Sequence, residues 1–219
     1  MVWAHYHMLV PNSPQAAFKM FARICFLSLA LLANPCFTQV LALPNSNNAK
    51  NPEVETNTSH EKKVLELFSD KTPATVNNFP SYVQSDHYNN SINSRVAKDF
   101  HIQGSAYGEN LLKNPQRSSV AREVSPVLKN RRGTVAAARK LSDNNCATSN
   151  FFFNLVDNPQ LDFQSNISPL NQGFAVLAQI IDGIEVIDKI RKVATTDKRG
   201  FSTLSTTPVV IRLITRVGE

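Results

Sequence analysis

Short strand-like segments separated by polar connections run through most of this chain, and they constrain its fold more than any other feature. Such segments are rich in apolar, aromatic and β-branched residues. The clearest span residues 64–68, 133–138, 151–156, 174–181 and 208–215. They do not alternate regularly with helices, so the pattern predicts a mainly β domain whose antiparallel sheet is either closed or sandwiched.

Two segments have helical periodicity instead. Pro73 suits the first turn of the first segment, and Thr72 or Asp70 can act as its N-cap. Pro80 lacks a backbone donor and is expected to kink or shorten this helix. The apolar residues at helical spacing are Val76, Phe79, Tyr82 and Val83 in the first segment, and Ile184, Val186, Ile187 and Ile190 in the second.

Composition limits the function classes that remain. The chain has 219 residues, of which 42% are hydrophobic and 18% are charged, so one core of ordinary size is expected. The formal net charge is +6, but the basic clusters at 129–132 and 189–199 are short and lack interleaved aromatic residues. The sequence therefore does not predict nucleic-acid binding.

The N-terminal region has the pattern of a secretory leader. Lys19 and Arg23 precede an apolar run at residues 24–33, and small residues follow near Ala42. We expect residues 1–42 to be a signal peptide that is cleaved after Ala42, with a buried helix of the mature domain as the alternative. The apolar run is too short for a membrane span, so no stable membrane association is expected after cleavage.

The segment after the leader changes to Asn, Ser, Thr and Pro. This composition predicts a flexible linker over residues 43–60. The folded domain is then expected to occupy residues 61–219.

Motifs of several enzyme classes are missing from the sequence. There is no Gly-x-Gly-x-x-Gly, no phosphate-binding loop and no nucleophile elbow. His60, His87 and His101 lack metal-ligand spacing, so we expect no metal and no cofactor. Arg95 and Gln103, eight positions apart and followed by an aromatic strand, favour binding and polarising a peptide over hydrolysing one.

Seven short motifs, in order and at compatible distances, resemble those of the cyclophilins. The resemblance runs from about residue 64 to the C-terminus, and it is strongest to the exported bacterial type. It implies an eight-stranded antiparallel β-barrel, closed and capped by two α-helices, and a periplasmic location. The motifs are Asn77-Asn78-Phe79, Tyr88-Asn89-Asn90, Arg95-Val96, Phe100-His101-Ile102-Gln103-Gly104, Arg132-Gly133-Thr134-Val135-Ala136, Ala147-Thr148-Ser149-Asn150-Phe151-Phe152 and Leu161-Asp162.

The resemblance also implies an activity and a site. The activity is peptidyl-prolyl cis-trans isomerisation, which assists the folding of exported proteins, and the partners are proline-containing polypeptides bound by a monomer. Arg95 and Gln103 take the catalytic positions of the motif, and Arg95 would stabilise the twisted Xaa-Pro amide. Strand alternation turns Phe152 toward the site and its two neighbours toward the core. The substrate-binding residues carried over from the family are Phe100, His101, Ala138, Asn150, Phe152, Leu161 and Phe174.

Several positions depart from the family pattern. Asn93 and Ser94 replace the usual Phe-His before the arginine, and His101 stands where the family usually has methionine. Asn150 replaces a glutamine, and Gln160 replaces an aromatic residue. These changes leave a second alternative open, in which the chain is a weakly active or inactive cyclophilin-fold module or chaperone that binds proline-containing segments.

Overall fold

Eleven strands and two α-helices form the part of the chain that the computed structural model describes, residues 50–140 and 147–218. The strands are β1 (Glu53–Thr58), β2 (Lys62–Leu67), β3 (Ser91–Ile92), β4 (Arg95–Val96), β5 (His101–Gly104), β6 (Thr134–Ala137), β7 (Phe151–Asn154), β8 (Val176–Asp182), β9 (Thr195–Lys198), β10 (Phe201–Ser205) and β11 (Val210–Arg216). The helices are α1 (Pro73–Val83) and α2 (Ile184–Arg191), and two short 3-10 helices span Pro159–Leu161 and Leu170–Gln172.

Nine of the strands form one antiparallel sheet, in the order β3-β11-β1-β2-β8-β6-β7-β5-β4. Strands β9 and β10 pair separately as a two-stranded sheet. The five strand segments predicted from the sequence correspond to β2, β6, β7, β8 and β11. A mainly β fold with two helices is therefore confirmed.

The sheet is a curled half-barrel, and the prediction of a closed eight-stranded barrel is wrong. Strands β3 and β4 are the two edges of the sheet and do not pair with each other. Each is two residues long and pairs with one other strand, β3 with β11 and β4 with β5. The β3 edge instead meets the segment after β5, where the Ile92 amide donates to the Tyr107 carbonyl (2.8 Å) and the Ser105 amide donates to the Ile92 carbonyl (3.0 Å). Gly104 permits this close approach, because a Cβ there would lie 2.7 Å from the Ile92 carbonyl oxygen.

Strand β1 lies inside the segment for which the sequence predicts a flexible linker. It pairs with β2 on one side and with β11 on the other. Val54, Thr56 and Thr58 are buried and alternate with partly exposed residues. The folded part thus begins before residue 61, because a strand paired on both edges can bury threonine side chains that read as linker composition. The predicted signal peptide, residues 1–42, lies outside the described residues.

Helix α1 packs one face against the core and continues past Pro80 to Val83, so Pro80 does not end it. Thr72, one of the two predicted N-cap residues, takes the N-cap position, but its hydroxyl donates to main-chain carbonyls, including that of Val176 (3.3 Å), and makes no cap bond. The free amide of the first turn is instead satisfied from a distant loop, where a Glu123 carboxylate oxygen accepts from the Thr75 amide (2.6 Å) and hydroxyl (2.9 Å).

The main apolar core lies between the sheet and the two helices and includes Phe151 and Phe153. It also contains a lysine. Lys63 points inward from β2 with its side chain 1% exposed, and its Nζ lies 4.7 Å from the centroid of the Phe153 ring. Within the described residues, no helix is both long enough and apolar enough to cross a membrane.

Candidate functional site

One row of cross-strand neighbours places Arg95 beside an apolar surface. Arg95 on β4 pairs with Gln103 on β5, and Gln103 pairs with Phe152 on β7. Phe152 pairs in turn with Ala136 on β6, which pairs with Val176 on β8. Paired residues of antiparallel strands project to the same face of a sheet. The row therefore forms a continuous surface, and its apolar members belong to a second cluster that is separate from the main core.

A groove of about 520 Å³ lies on this surface and collects most of the predicted site. The predicted residues that line it are Arg95, Phe100, His101, Gln103, Ala138, Phe152, Leu161 and Phe174. The remaining lining side chains are Arg139, Gln160, Gln164 and Asn171. Residues more than sixty positions apart in the chain thus meet at one site.

Asn150 is the predicted site residue that does not line the groove. Its main-chain carbonyl accepts a hydrogen bond from the Ala138 amide (2.9 Å). Its side-chain Oδ1 is buried and has no hydrogen-bond partner among the described residues. Asn150 is therefore connected to the groove through Ala138.

Arg95 contacts His101 at the polar end of the groove. The guanidinium Nη1 lies 3.4 Å from the imidazole Nε2. The imidazole is 5% exposed, and burial followed by the Arg95 charge lowers the pKa of His101 to about 4. The ring is therefore uncharged at neutral pH, and the guanidinium supplies the positive charge of this end of the site.

Aromatic rings form the apolar wall of the groove. The His101 ring lies 4.3 Å from the Phe100 ring and 5.1 Å from the Phe152 ring, measured between centroids. Phe174 meets Phe152 edge to face at 5.6 Å, and the Arg139 guanidinium lies 4.9 Å from the Phe174 centroid. Phe152 thus faces the groove while Phe151 and Phe153 are in the main core, as strand alternation predicts.

A buried network of amide side chains holds the main chain of this wall. Asn158 donates to the Phe100 carbonyl (3.0 Å) and to Asn154 Oδ1 (2.8 Å). Asn154 donates to Asn130 Oδ1 (3.2 Å), and Asn130 donates to the Leu161 carbonyl (3.0 Å). All three asparagines are at most 2% exposed. Their bonds connect the residue before β5, strand β7, the loop before β6 and the segment after β7, so they fix the positions of groove residues that are distant in sequence.

The sequence analysis missed this network and part of the lining. Asn154 carried a usable signal, because it is two residues from Phe152 on β7 and so projects to the same face. Asn130 and Gln164 lie on loops and Asn171 lies in the short 3-10 helix Leu170–Gln172, where no periodicity indicates the direction of a side chain. Only the fold brings Gln164 and Asn171 to the groove and Asn130 to the network.

The groove is equipped to bind an amide and to polarise it. It combines a charged multiple donor with an apolar wall that can take a proline ring. In the described part of the chain, no three His, Cys, Asp or Glu side chains are grouped so that they could hold a metal ion. The arrangement suits a reaction in which hydrogen bonds to the substrate change and no covalent bond breaks.

A known protein family matches most of this chain. Residues 53–215 match the family described as "Cyclophilin type peptidyl-prolyl cis-trans isomerase/CLD". The match begins at Glu53, the first residue of β1.

Bacterial proteins are among the similar sequences. The chain is 41% identical to peptidyl-prolyl cis-trans isomerase B of Escherichia coli K12 over 138 residues, which cover 63% of this chain and 83% of that protein. It is 39% identical to peptidyl-prolyl cis-trans isomerase cyp18 of Streptomyces antibioticus over 158 residues, or 72% of this chain and 94% of that protein.

A solved structure has the same fold. The cyclophilin type peptidyl-prolyl cis-trans isomerase of Cryptosporidium parvum superimposes with a TM-score of 0.62 and 23% sequence identity, covering 77% of this chain and 99% of that one. A second crystal structure of that protein was determined in the presence of the dipeptide Ala-Pro, with the same TM-score.

Proposed function

The chain belongs to the cyclophilin-type peptidyl-prolyl cis-trans isomerase family, and we propose that it catalyses prolyl isomerisation in the groove beside Arg95. The family and its named relatives support the enzyme over the alternative of an inactive binding module. The observation that carries the assignment to this groove is the row that joins Arg95, Gln103 and Phe152 on one face of the sheet.

Prolyl isomerisation is slow without a catalyst, because it requires rotation about an amide bond. Resonance gives the amide C–N bond partial double-bond character, so rotation meets a barrier of about 18–20 kcal/mol. An enzyme lowers it by binding the twisted amide better than either planar form, and each ~1.4 kcal/mol of that preference increases the rate tenfold. No proton has to be transferred, which agrees with a groove whose imidazole is uncharged.

Arg95 is the group that we assign to the twisted amide. When the amide twists, the proline nitrogen regains a lone pair, and a guanidinium donor beside it forms a hydrogen bond that the planar form cannot accept. Gln103 is the neighbour of Arg95 across β4 and β5 and would bind the substrate main chain. Phe100, Phe152, Leu161 and Phe174 would hold the proline ring.

The substrates that we propose are polypeptides with Xaa-Pro bonds. The Cryptosporidium parvum relative has been crystallised in the presence of Ala-Pro, and the groove of this chain has the apolar wall that a proline ring requires. We further propose that the substrates are exported proteins folding in a periplasm, because Lys19, Arg23 and the apolar run at 24–33 have the pattern of a secretory leader.

Replacement of Arg95 tests the proposed site. We expect Arg95→Ala to lower kcat/KM for a short Xaa-Pro peptide by about 100-fold or more, since loss of one preorganised donor to a transition state has effects of that size. The measurement is a protease-coupled isomerisation assay, with peptide binding followed by NMR titration. Arg95→Lys keeps the charge without the fork of donors, and an intermediate rate is expected.

Arg132→Ala is the matched control, because Arg132 is exposed, pairs with Asp188 and does not line the groove. It should retain the wild-type rate. Equal loss of rate and of peptide binding in Arg95→Ala would show that the arginine only anchors the substrate. An unchanged rate would move the active site away from this groove.

A further inference from the structure

We propose that His101 is a positioning residue for Arg95, and that its imidazole holds the guanidinium at the reacting amide only while the ring is uncharged. The inference rests on the proposed role of Arg95. It concerns a residue that replaces the methionine usual at this position, so it is a property of this chain and not of the family pattern.

The contact between the two side chains determines the tautomer of the ring. Arg95 Nη1 lies 3.4 Å from His101 Nε2, and a guanidinium can only donate. The imidazole must therefore accept through a Nε2 lone pair and carry its proton on Nδ1. Nδ1 is buried and has no hydrogen-bond partner among the described residues. Protonation of the ring would remove the acceptor that faces Arg95.

Packing keeps the imidazole in the position from which it accepts this bond. The ring lies between Phe100 at 4.3 Å and Phe152 at 5.1 Å. His101 on β5 pairs with Asn154 on β7, and Asn154 belongs to the buried amide network. Arg95 sits on a two-residue edge strand, and its Nε is buried without a hydrogen-bond partner among the described residues. Packing therefore fixes the His101 ring, whereas few contacts from β4 itself fix the guanidinium beside it.

The charges around the imidazole favour its neutral form. Arg95 on β4 contacts it, and Arg139, after β6, is the other cation that lines the groove. Every other lining side chain is uncharged, including Gln103 on the same strand. Asp99 lies two residues earlier, but its side chain is exposed and pairs with Arg191. Burial and then Arg95 lower the pKa of His101 to about 4, with Gln103 opposing them in part.

The pH dependence of turnover distinguishes this role from a structural one. Isomerisation itself transfers no proton, so any loss of rate at low pH (an acid limb of the pH profile) must come from a titrating group of the enzyme. The assay is NMR exchange spectroscopy on a blocked Ala-Ala-Pro-Phe peptide, which has no titrating group and needs no coupling protease. We expect kcat/KM of the wild type to fall about fourfold between pH 5.5 and pH 3.5, as the neutral fraction of an imidazole with a pKa of about 4 does, with the main loss in kcat, while circular dichroism confirms that the fold persists.

Two substitutions at position 101 form a matched pair. His101→Gln puts an amide oxygen near the place of Nε2 and does not titrate, whereas His101→Met removes the acceptor. We expect both pH profiles to be flat, with His101→Gln several-fold faster in kcat at pH 7 than His101→Met and similar KM values. A wild-type profile that stays flat while the protein is folded would overturn the proposal, and so would an acid limb that persists in His101→Gln.

A direct measurement keeps the proposal testable if the wild type unfolds in acid. Nitrogen-15 NMR of the imidazole at pH 6.5 should show the proton on Nδ1 in the wild type, and Arg95→Ala should shift it toward Nε2. The Nε2–H tautomer in the folded wild type would contradict the proposal.

If Arg95→Ala keeps the wild-type rate, the proposed role of Arg95 fails. If Arg95→Ala loses the rate but the variants at 101 behave as the wild type in pH profile and tautomer, only the role of His101 fails.

Discussion

At the scale of single residues, Lys63 is the least expected side chain in the core. Its place in β2 turns it inward together with Leu65 and Leu67, under the ring of Phe153. Burial lowers the pKa of Lys63 to about 7. An amine removed from water in this way opposes folding whenever it must carry a charge.

The lowered pKa of Lys63 predicts how stability depends on pH. In the unfolded chain the amine titrates near its usual value of 10.5, so between pH 7 and that value the unfolded state binds more protons than the folded state. The free energy of unfolding should therefore rise with pH above 7 and fall as pH returns to 7. We expect Lys63→Met to remove this rise and to stabilise the protein at pH 7 by on the order of 2–4 kcal/mol.

Urea denaturation at pH 7 and pH 9 measures this effect. Lys62→Met is the control, because the adjacent Lys62 is exposed and pairs with Glu55. If both variants follow the pH dependence of the wild type, Lys63 is charged in the folded protein and the argument is wrong.

At the scale of elements, β1 is a strand whose polar composition predicts a linker instead. Its residues Glu53, Asn57 and Thr58 are polar, yet the strand is central, with ladders to β2 and β11. The signal that identifies it is the alternation of Val54, Thr56 and Thr58, whose side chains are buried. One of its two partners, β11, lies at the other end of the domain, so the composition of residues 53–58 alone does not show that they form a strand.

Truncation tests the contribution of β1. A chain that begins at residue 61 would expose the edges of β2 and β11 and lose the burial of Val54, so we expect it to be unfolded or to melt far below a chain that begins at residue 50. Circular dichroism with a thermal melt compares the two. Equal melting temperatures would mean that residues 53–58 behave as the linker that their composition predicts.

At the scale of the whole molecule, one sheet serves two purposes. The face that carries Phe151 and Phe153 is covered by the helices and forms the core, while the face that carries Phe152 is left for the groove. The amide network joins loops at one side of the groove, and the short edge strand β4 carries Arg95 at the other. Arg95, the proposed catalytic residue, thus stands on a short edge strand, which is why we propose a positioning role for its neighbour His101.

The proposed export concerns the whole chain and predicts the start of the mature protein. We expect the full-length chain, produced in a Gram-negative host, to be recovered from the periplasm with Leu43 as its first residue. Cleavage there removes the apolar run at 24–33 and leaves β1 intact. Mass spectrometry of the fractionated protein measures this, and an uncleaved chain confined to the cytoplasm would contradict the proposed location.

Local patterns in the sequence were enough for five strands, both helices and eight of the twelve residues that line the groove. Apolar and β-branched runs predicted five strands of the sheet, and alternation together with the family motif separated Phe152 from its two neighbours. Seven short motifs in order, among them Arg95-Val96 and the segment 100–104, carried the family resemblance. These features depend on residues close in the chain, where the period of a strand or the order of a motif is visible.

The tertiary structure decided what depends on contacts between distant segments. It replaced the closed barrel by a half-barrel, because β3 and β4 each pair with one other strand and no ladder joins them. It made β1 a strand by placing partners on both of its edges. It also set the state of His101, since only burial beside Arg95 makes an ordinary imidazole an uncharged acceptor at neutral pH. The free energies of pairing, burial and charge depend on which groups become neighbours, and partners such as β11 for β1 and Phe152 for His101 are far away in the sequence.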